Sequence, residues 1–305
     1  MLDRKGFHAG ASYDTSTGAM VINGAPVGCV PTYVGVGVSN LTLDVGLDNT
    51  DMCLLATIRG ATIGCVRFVN TSDTVKQLIC RDEAAGALAA GERPIDVALL
   101  KLSALDRKFV HAAGHFQGSA AGAAVAFGQR GGVVARTAAG IYTITLDRDI
   151  DSQDCAVIIT VGVGAAAATD LHARVVHTTD NVKTVTIETL AAGADVDADF
   201  CWAVFSARNA PNPNALFAGG QDGAGAAPYG RGGLGLRNGA GDYQYTIDRQ
   251  SAVGSHLALA TPVGATGSAI RVAEGAVARK DVETQVQAAA AQTNCDHHFV
   301  LLRLN

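Results

Sequence analysis

The stretch GQRGGVVARTAAGIYTITLD, residues 128–147, decides the fold, because YGRGGLGLRNGAGDYQYTID, residues 229–248, restates it. Arg130, Gly131, Gly132, Arg136, Gly140, Tyr142 and Asp147 return as Arg231, Gly232, Gly233, Arg237, Gly241, Tyr243 and Asp248 at one constant offset. In YTITLD the side chains of Tyr142, Ile144 and Leu146 fall on one side and those of Thr143, Thr145 and Asp147 on the other. Alternation with period two, rich in Thr, Tyr and Ile, predicts a strand buried on one face. Tyr243, Tyr245 and Ile247 against Gln244, Thr246 and Asp248 predict its twin.

Working outward, the repetition covers the whole chain. Asp44, Asp147 and Asp248 end the segments NLTLD, YTITLD and YQYTID, 103 and 101 residues apart. Downstream of each lies an aliphatic run, CLLATI from Cys53, CAVIIT from Cys155 and HLALAT from His256. RFVNTSDTVKQLI (67–79) then matches RVVHTTDNVKTVTI (174–187), with RKDVETQVQ (279–287) as a weaker third copy. Each unit closes on an apolar segment, VALLKL at 97, CWAVFSA at 201 and FVLLRL at 299. FHAG at 7 corresponds to VHAAG at 110, and LFAGG at 216 is a looser third opening. A period near a hundred residues exceeds that of solenoid repeats, about 20–50 residues, and suits a domain.

The expected fold is all-β: three tandem homologous antiparallel β-sandwich domains of jelly-roll or Ig-like type. The boundaries are 1–105 for an N-terminal arm and repeat 1, 106–208 for repeat 2, and 209–305 for a linker and repeat 3, with connectors near 103–118 and 206–228. About six strands are expected in the middle copy. The alanine runs at 119–126 and 288–291 are the only candidates for short helix. Paired glycines before a strand permit a turn or bulge with positive φ. Phosphate-cradling loops lead instead into a helix, so the RGG segments read as scaffold. In the first copy VGVGVSN offers the corresponding glycines without the arginine. Arg130 and Arg231 are expected at a contact between copies or subunits, because a guanidinium suits interfaces. Tyr142, Tyr243, Asp147 and Asp248 join them as interface or structural candidates.

The remaining features argue against chemistry. The chain has 305 residues, 23 basic and 28 acidic side chains and a formal charge of -5, which does not favour nucleic acid or an anionic membrane. The uncharged stretch 15–43 is broken by Pro26 and Pro31, so no spanning helix is expected. MLDRKGFHAG lacks an apolar run after its basic residues and does not read as a signal peptide. Seven cysteines without a CxxC spacing read as buried reduced thiols. DRDIDSQD places Ser152 and Ile158 where a calcium loop wants Gly and Glu, so it reads as a solvated turn. Asp195, Asp197 and Asp199 in DVDAD read as acids blunting a sheet edge. His111 and His115 are spaced for metal only on a helix, and the match of His8 to His111 predicts a structural hydrogen bond opening each unit. Neither GxSxG nor HExxH occurs. No catalytic, cofactor-binding or metal-binding residue is therefore assigned.

The RGG-led strands YTITLD and YQYTID, the turns TSDTVK and TTDNVK, and the connector NAPNPNALFAGGQDGAGAAPYG (209–230) give the chain a style that resembles virion structural proteins of tailed bacteriophages and gene transfer agents. Capsid decoration proteins, head spikes and short tail fibres are of this kind. The resemblance implies a non-enzymatic homo-oligomer, often a trimer, docked on other capsid or tail proteins. It also implies location in a virion assembled in the host cytoplasm, and no cofactor. The alternatives are a receptor- or glycan-binding fibre module recognising a host surface glycan and, ranked last, a glycan-degrading enzyme.

Overall fold

The computed structural model describes residues 6–14, 21–22, 24–59, 64–82, 94–118, 125–162, 171–176, 181–191, 194–210, 215–221, 229–248, 256–264, 268–274, 279–286, 291–292 and 295–304. Among these described residues the regular structure is strand, with four single-turn 3-10 segments. No described helix is long and apolar enough to cross a membrane. The alanine runs fall largely outside the described residues; where described, both are strand.

The first repeat contributes β1 (Phe7–Asp14), β2 (Val21–Ile22), β3 (Cys29–Gly35), β4 (Val38–Leu43), β5 (Met52–Ile58), β6 (Gly64–Asn70), β7 (Val75–Asp82) and β8 (Ile95–Lys101). The second contributes β9 (Val110–Gln117), β10 (Val125–Arg130), β11 (Gly132–Ala138), β12 (Ile141–Asp151), β13 (Cys155–Gly162), β14 (Leu171–Val176), β15 (Asn181–Ala191), β16 (Ala194–Asp195) and β17 (Phe200–Ser206). The third contributes β18 (Ala215–Gln221), β19 (Tyr229–Arg231), β20 (Gly233–Gly239), β21 (Asp242–Ile247), β22 (His256–Val263), β23 (Ser268–Glu274), β24 (Arg279–Val286), β25 (Ala291–Gln292) and β26 (Asp296–Arg303). Among the described residues the middle copy thus has nine strands where about six were expected. The three not expected are β9, β10 and the short β16, which carry too little alternation to be read.

Each repeat builds two layers in the same order. The inner layers run β2-β1-β8-β5, β10-β9-β17-β13 and β19-β18-β26-β22; the outer layers run β3-β4-β7-β6, β11-β12-β15-β14 and β20-β21-β24-β23. In the second repeat Phe116, Trp202 and Val157 of the inner layer pack on Tyr142, Ile144 and Ile187 of the outer one. Phe217, Phe299, Tyr243 and Tyr245 do the same in the third.

The chain passes between layers at the glycine pair. Gly131 alone separates β10 from β11, with φ +81°. Its carbonyl accepts from Asp147 N at 3.0 Å, which pins the corner to the middle of β12. Gly232 repeats this with φ +97° and Asp248 N at 2.9 Å. In the first copy the corner is Gly28, φ +70°, bonded by Asp44 N at 3.0 Å. The counterpart of RGG is therefore Val27-Gly28-Cys29. The glycines of VGVGVSN belong to the following hairpin, where Gly37, Gly140 and Gly241 share φ +67°.

The repeats are welded by strands. β13 pairs in parallel with β6, and β14 with β22, so an inner layer of one repeat continues the outer layer of the preceding one. β23 of the third repeat lies beside β5 of the first, and the cycle closes.

Candidate functional site

The inner strands β5, β13 and β22 are buried along their whole length, one face in their own repeat and the other toward the centre. Leu55, Ile158 and Leu259 occupy equivalent central positions in one cluster. Such a strand has a buried edge whose N–H groups need acceptors, since an unmet buried donor costs about 1–3 kcal/mol. Thr160 Oγ1 accepts from Ala56 N at 2.7 Å, Thr261 Oγ1 from Ile159 N at 2.9 Å, and Thr57 Oγ1 from Ala260 N at 3.1 Å. Each threonine serves the repeat before it, and Thr57 serves the last. A second tier follows the same cycle. Cys201 takes a hydrogen bond from the Leu54 backbone, His298 Nδ1 accepts from Val157 N at 3.1 Å, and Asp96 Oδ2 accepts from Ala258 N at 2.8 Å.

These groups are poorly suited to chemistry. Burial pushes the Cys201 thiol up, and holds Cys155 and Cys29 at about 12, so the thiols stay protonated and weakly nucleophilic at neutral pH. Burial likewise brings His115 and His297 down to about 4, leaving neutral rings. His297 is held by the Tyr245 hydroxyl at 2.8 Å, and His115 bonds Asn49 O at 3.1 Å. Burial raises Asp96, opposed by Arg59, whose Nε lies 3.7 Å away. Among the described residues no three His, Cys, Asp or Glu side chains are grouped to hold a metal.

The candidates named from sequence separate into two sets. Tyr142 and Tyr243 are fully buried, and their hydroxyls accept from Ala198 N at 3.3 Å and Cys295 N at 3.2 Å, tying the chain just before the last strand of each repeat. In the first repeat Ser39 stands in that register and bonds the Tyr13 hydroxyl at 2.8 Å. Asp147 is exposed within β12 and Asp248 is exposed just past the end of β21, and Arg130 and Arg231 are exposed at the layer crossings. The structure does not bring the arginines together with the tyrosines. His8 and His111 each bond a backbone carbonyl at 2.8 Å, Val45 O and Arg148 O.

Two acidic segments differ from expectation. Asp147, Asp149 and Asp151 lie within β12, not in a turn, and Asp154 is buried against Arg208 Nε at 2.9 Å. Asp197 does not blunt an edge. It is buried and accepts from Arg136 Nε and Nη2 at 2.9 and 2.8 Å, from Gly140 N at 2.9 Å and from the Tyr142 hydroxyl at 3.0 Å. The Arg136 hydrogen bonds hold its carboxyl below the usual range.

The surface feature that repeats is the outermost strand of each outer layer. Among the described residues β3, β11 and β20 each end a sheet and have one edge unpaired. Val30, Val133 and Leu234 hold the same register there and are 50%, 64% and 76% exposed. Leu236 adds a further exposed apolar group to β20. Edge strands are ordinarily guarded by charge or proline. Here Pro31 guards β3, while Arg136 of β11 is turned to Asp197 and Arg237 of β20 bonds Gly239 O at 3.1 Å. Sequence reading missed these strands as a surface and missed the threonines; the signal for the latter was the Thr shared by CLLATI, CAVIIT and HLALAT. Comparison with protein-family profiles, with curated proteins and with solved structures gives no match.

Proposed function

We propose that the chain is a non-catalytic structural component of a phage-like virion, a capsid decoration, head spike or tail fibre protein, that docks on other virion proteins through the outward edges of its β-sandwich repeats. The observation that carries this reading is the cyclic arrangement itself. Three like repeats close around one axis and present Val30, Val133 and Leu234 outward at equivalent positions. One chain then offers three similar lateral faces to its surroundings, which suits coverage of a repeating particle surface. The buried thiols and imidazoles serve the interior, consistent with a role in shape and attachment.

Mass spectrometry of density-purified particles from producing cells tests the proposal, with immunogold labelling to locate the protein. Its presence at a fixed stoichiometry to the capsid or tail proteins is expected. Particles that lack it, while the protein is abundant in the same cells, refute the proposal.

A further inference from the structure

The first two repeats open with nearly the same words, DRKGFH at 3–8 and DRKFVH at 106–111. In the second, Arg107 donates from Nη1 and Nη2 to the two carboxylate oxygens of Asp147, at 2.7 and 2.5 Å, and from Nε to His111 O at 3.1 Å. The guanidinium lies so close to the corner glycine that a Cβ on Gly131 would be 2.7 Å from Nη2. His111 is itself fixed, its Nε2 bonded to Arg148 O.

Every wall of this seat recurs 103 residues earlier. Asp44 stands for Asp147 and bonds Gly28 O through its backbone, as Asp147 does Gly131 O. Gly28 keeps the positive φ, and His8 keeps its bond to Val45 O at 2.8 Å. His8 O faces the corner as His111 O does, 2.5 and 2.7 Å from where a Cβ would sit on each glycine. In the first repeat, however, these walls enclose a cavity of about 200 Å³ lined by Phe7, His8, Gly28, Asp44, Val45 and Lys101. Asp44 forms no ion pair among the described residues, and Lys101 lines the cavity without pairing with it.

We propose that this cavity is a binding seat for an arginine side chain, gripped by Asp44 in two-point fashion with the Nε–H on His8 O. A planar fork matches a carboxylate plus a neighbouring carbonyl; an ammonium point charge fills neither the plane nor the volume. The third repeat keeps Asp248, but its sequence carries Leu216 where the second carries His111, and Asn212 where the second carries Arg107. The guanidinium has two sources, Arg4 of the same chain, four residues before His8 as Arg107 is before His111, or an arginine of a docking protein.

The test titrates methylguanidinium, with methylammonium as control, into the full chain and into its Arg4→Ala and Asp44→Asn variants. Heat of binding and the Asp44 carboxyl resonance are followed. Saturable binding, at least tenfold tighter than methylammonium and lost in Asp44→Asn, is expected. Binding to the unaltered chain assigns the seat to an external arginine, and binding only to Arg4→Ala assigns it to Arg4. If neither protein moves the Asp44 resonance, the seat does not exist. That result leaves the virion reading untouched, because particle association is measured separately.

Discussion

Replacing Thr160 with Val tests whether the three repeats behave as one body. The hydroxyl accepts the Ala56 N–H at 2.7 Å, deep between repeats, and Val leaves that donor unmet. An unsatisfied buried N–H costs about 1–3 kcal/mol. The added methyl returns about 0.8 kcal/mol, so the net loss is about 0.2–2 kcal/mol. Thr57→Val removes the same kind of bond, to Ala260, across the first and last repeats. For cooperative unfolding of 305 residues, at about 2.1 cal/mol/K of entropy each, either change lowers Tm by up to about 3 °C. A free unit of about 100 residues would instead fall by about 4–8 °C per kcal/mol, leaving its neighbours untouched. The assay is thermal and urea unfolding read twice, by far-UV circular dichroism for all strands and by fluorescence of Trp202, the single tryptophan, buried in the second repeat. Coincident transitions that shift together in both variants are expected. A Trp202 transition unmoved by Thr57→Val, beside a separate shifted phase in dichroism, refutes the closed cycle.

Asp199 is raised to about 7, chiefly by burial and against a hydrogen bond from the Gly118 backbone. A folded value above the unfolded one, about 3.9, means that stability is fully present below pH 4 and falls as pH rises through 7. Asp199→Asn should remove that slope and exceed the parent in urea midpoint at pH 8; an unchanged slope between pH 5 and 8 excludes Asp199 as its source. Asp197 is shifted the other way, so its contribution is present at neutral pH and lost on acidification. Asp197→Ala strands the Arg136 guanidinium and the Gly140 N–H and should cost about 2–4 kcal/mol at pH 7, measured by urea unfolding. Gly131→Ala forces a side chain into φ +81° and against His111 O, and a loss of about 2 kcal/mol or more is expected from the same assay.

What the sequence disclosed depended on how many faces of a strand are covered. β12 and β21 are buried on one face, so Tyr142, Ile144 and Leu146 alternate with polar residues and the strands were legible. β5, β13 and β22 are buried on both faces, which erases alternation, and their central threonines look like interruptions of aliphatic runs. Their partners lie 104, 102 and 203 residues away. Asp197 was misread for the same reason: Arg136 is 61 residues distant, and locally only the acidic run is visible. The first corner was displaced in register because Val27 replaces the arginine that marks the other two.

Fusion of the repeats also explains a difference that a trimer of identical chains could not hold. The acceptor opposite each buried threonine is Asp96, Cys201 or His298, one of each. In an identical trimer this position would carry three like groups, and three buried carboxylates would repel one another on top of their desolvation. With the copies on one chain, a single carboxylate faces Arg59, while a protonated thiol and a neutral imidazole do the same work without charge. All three accept a backbone N–H at equivalent places, which is the requirement the buried edge imposes. The three equivalent positions therefore differ in side chain while the hydrogen-bonding role is the same.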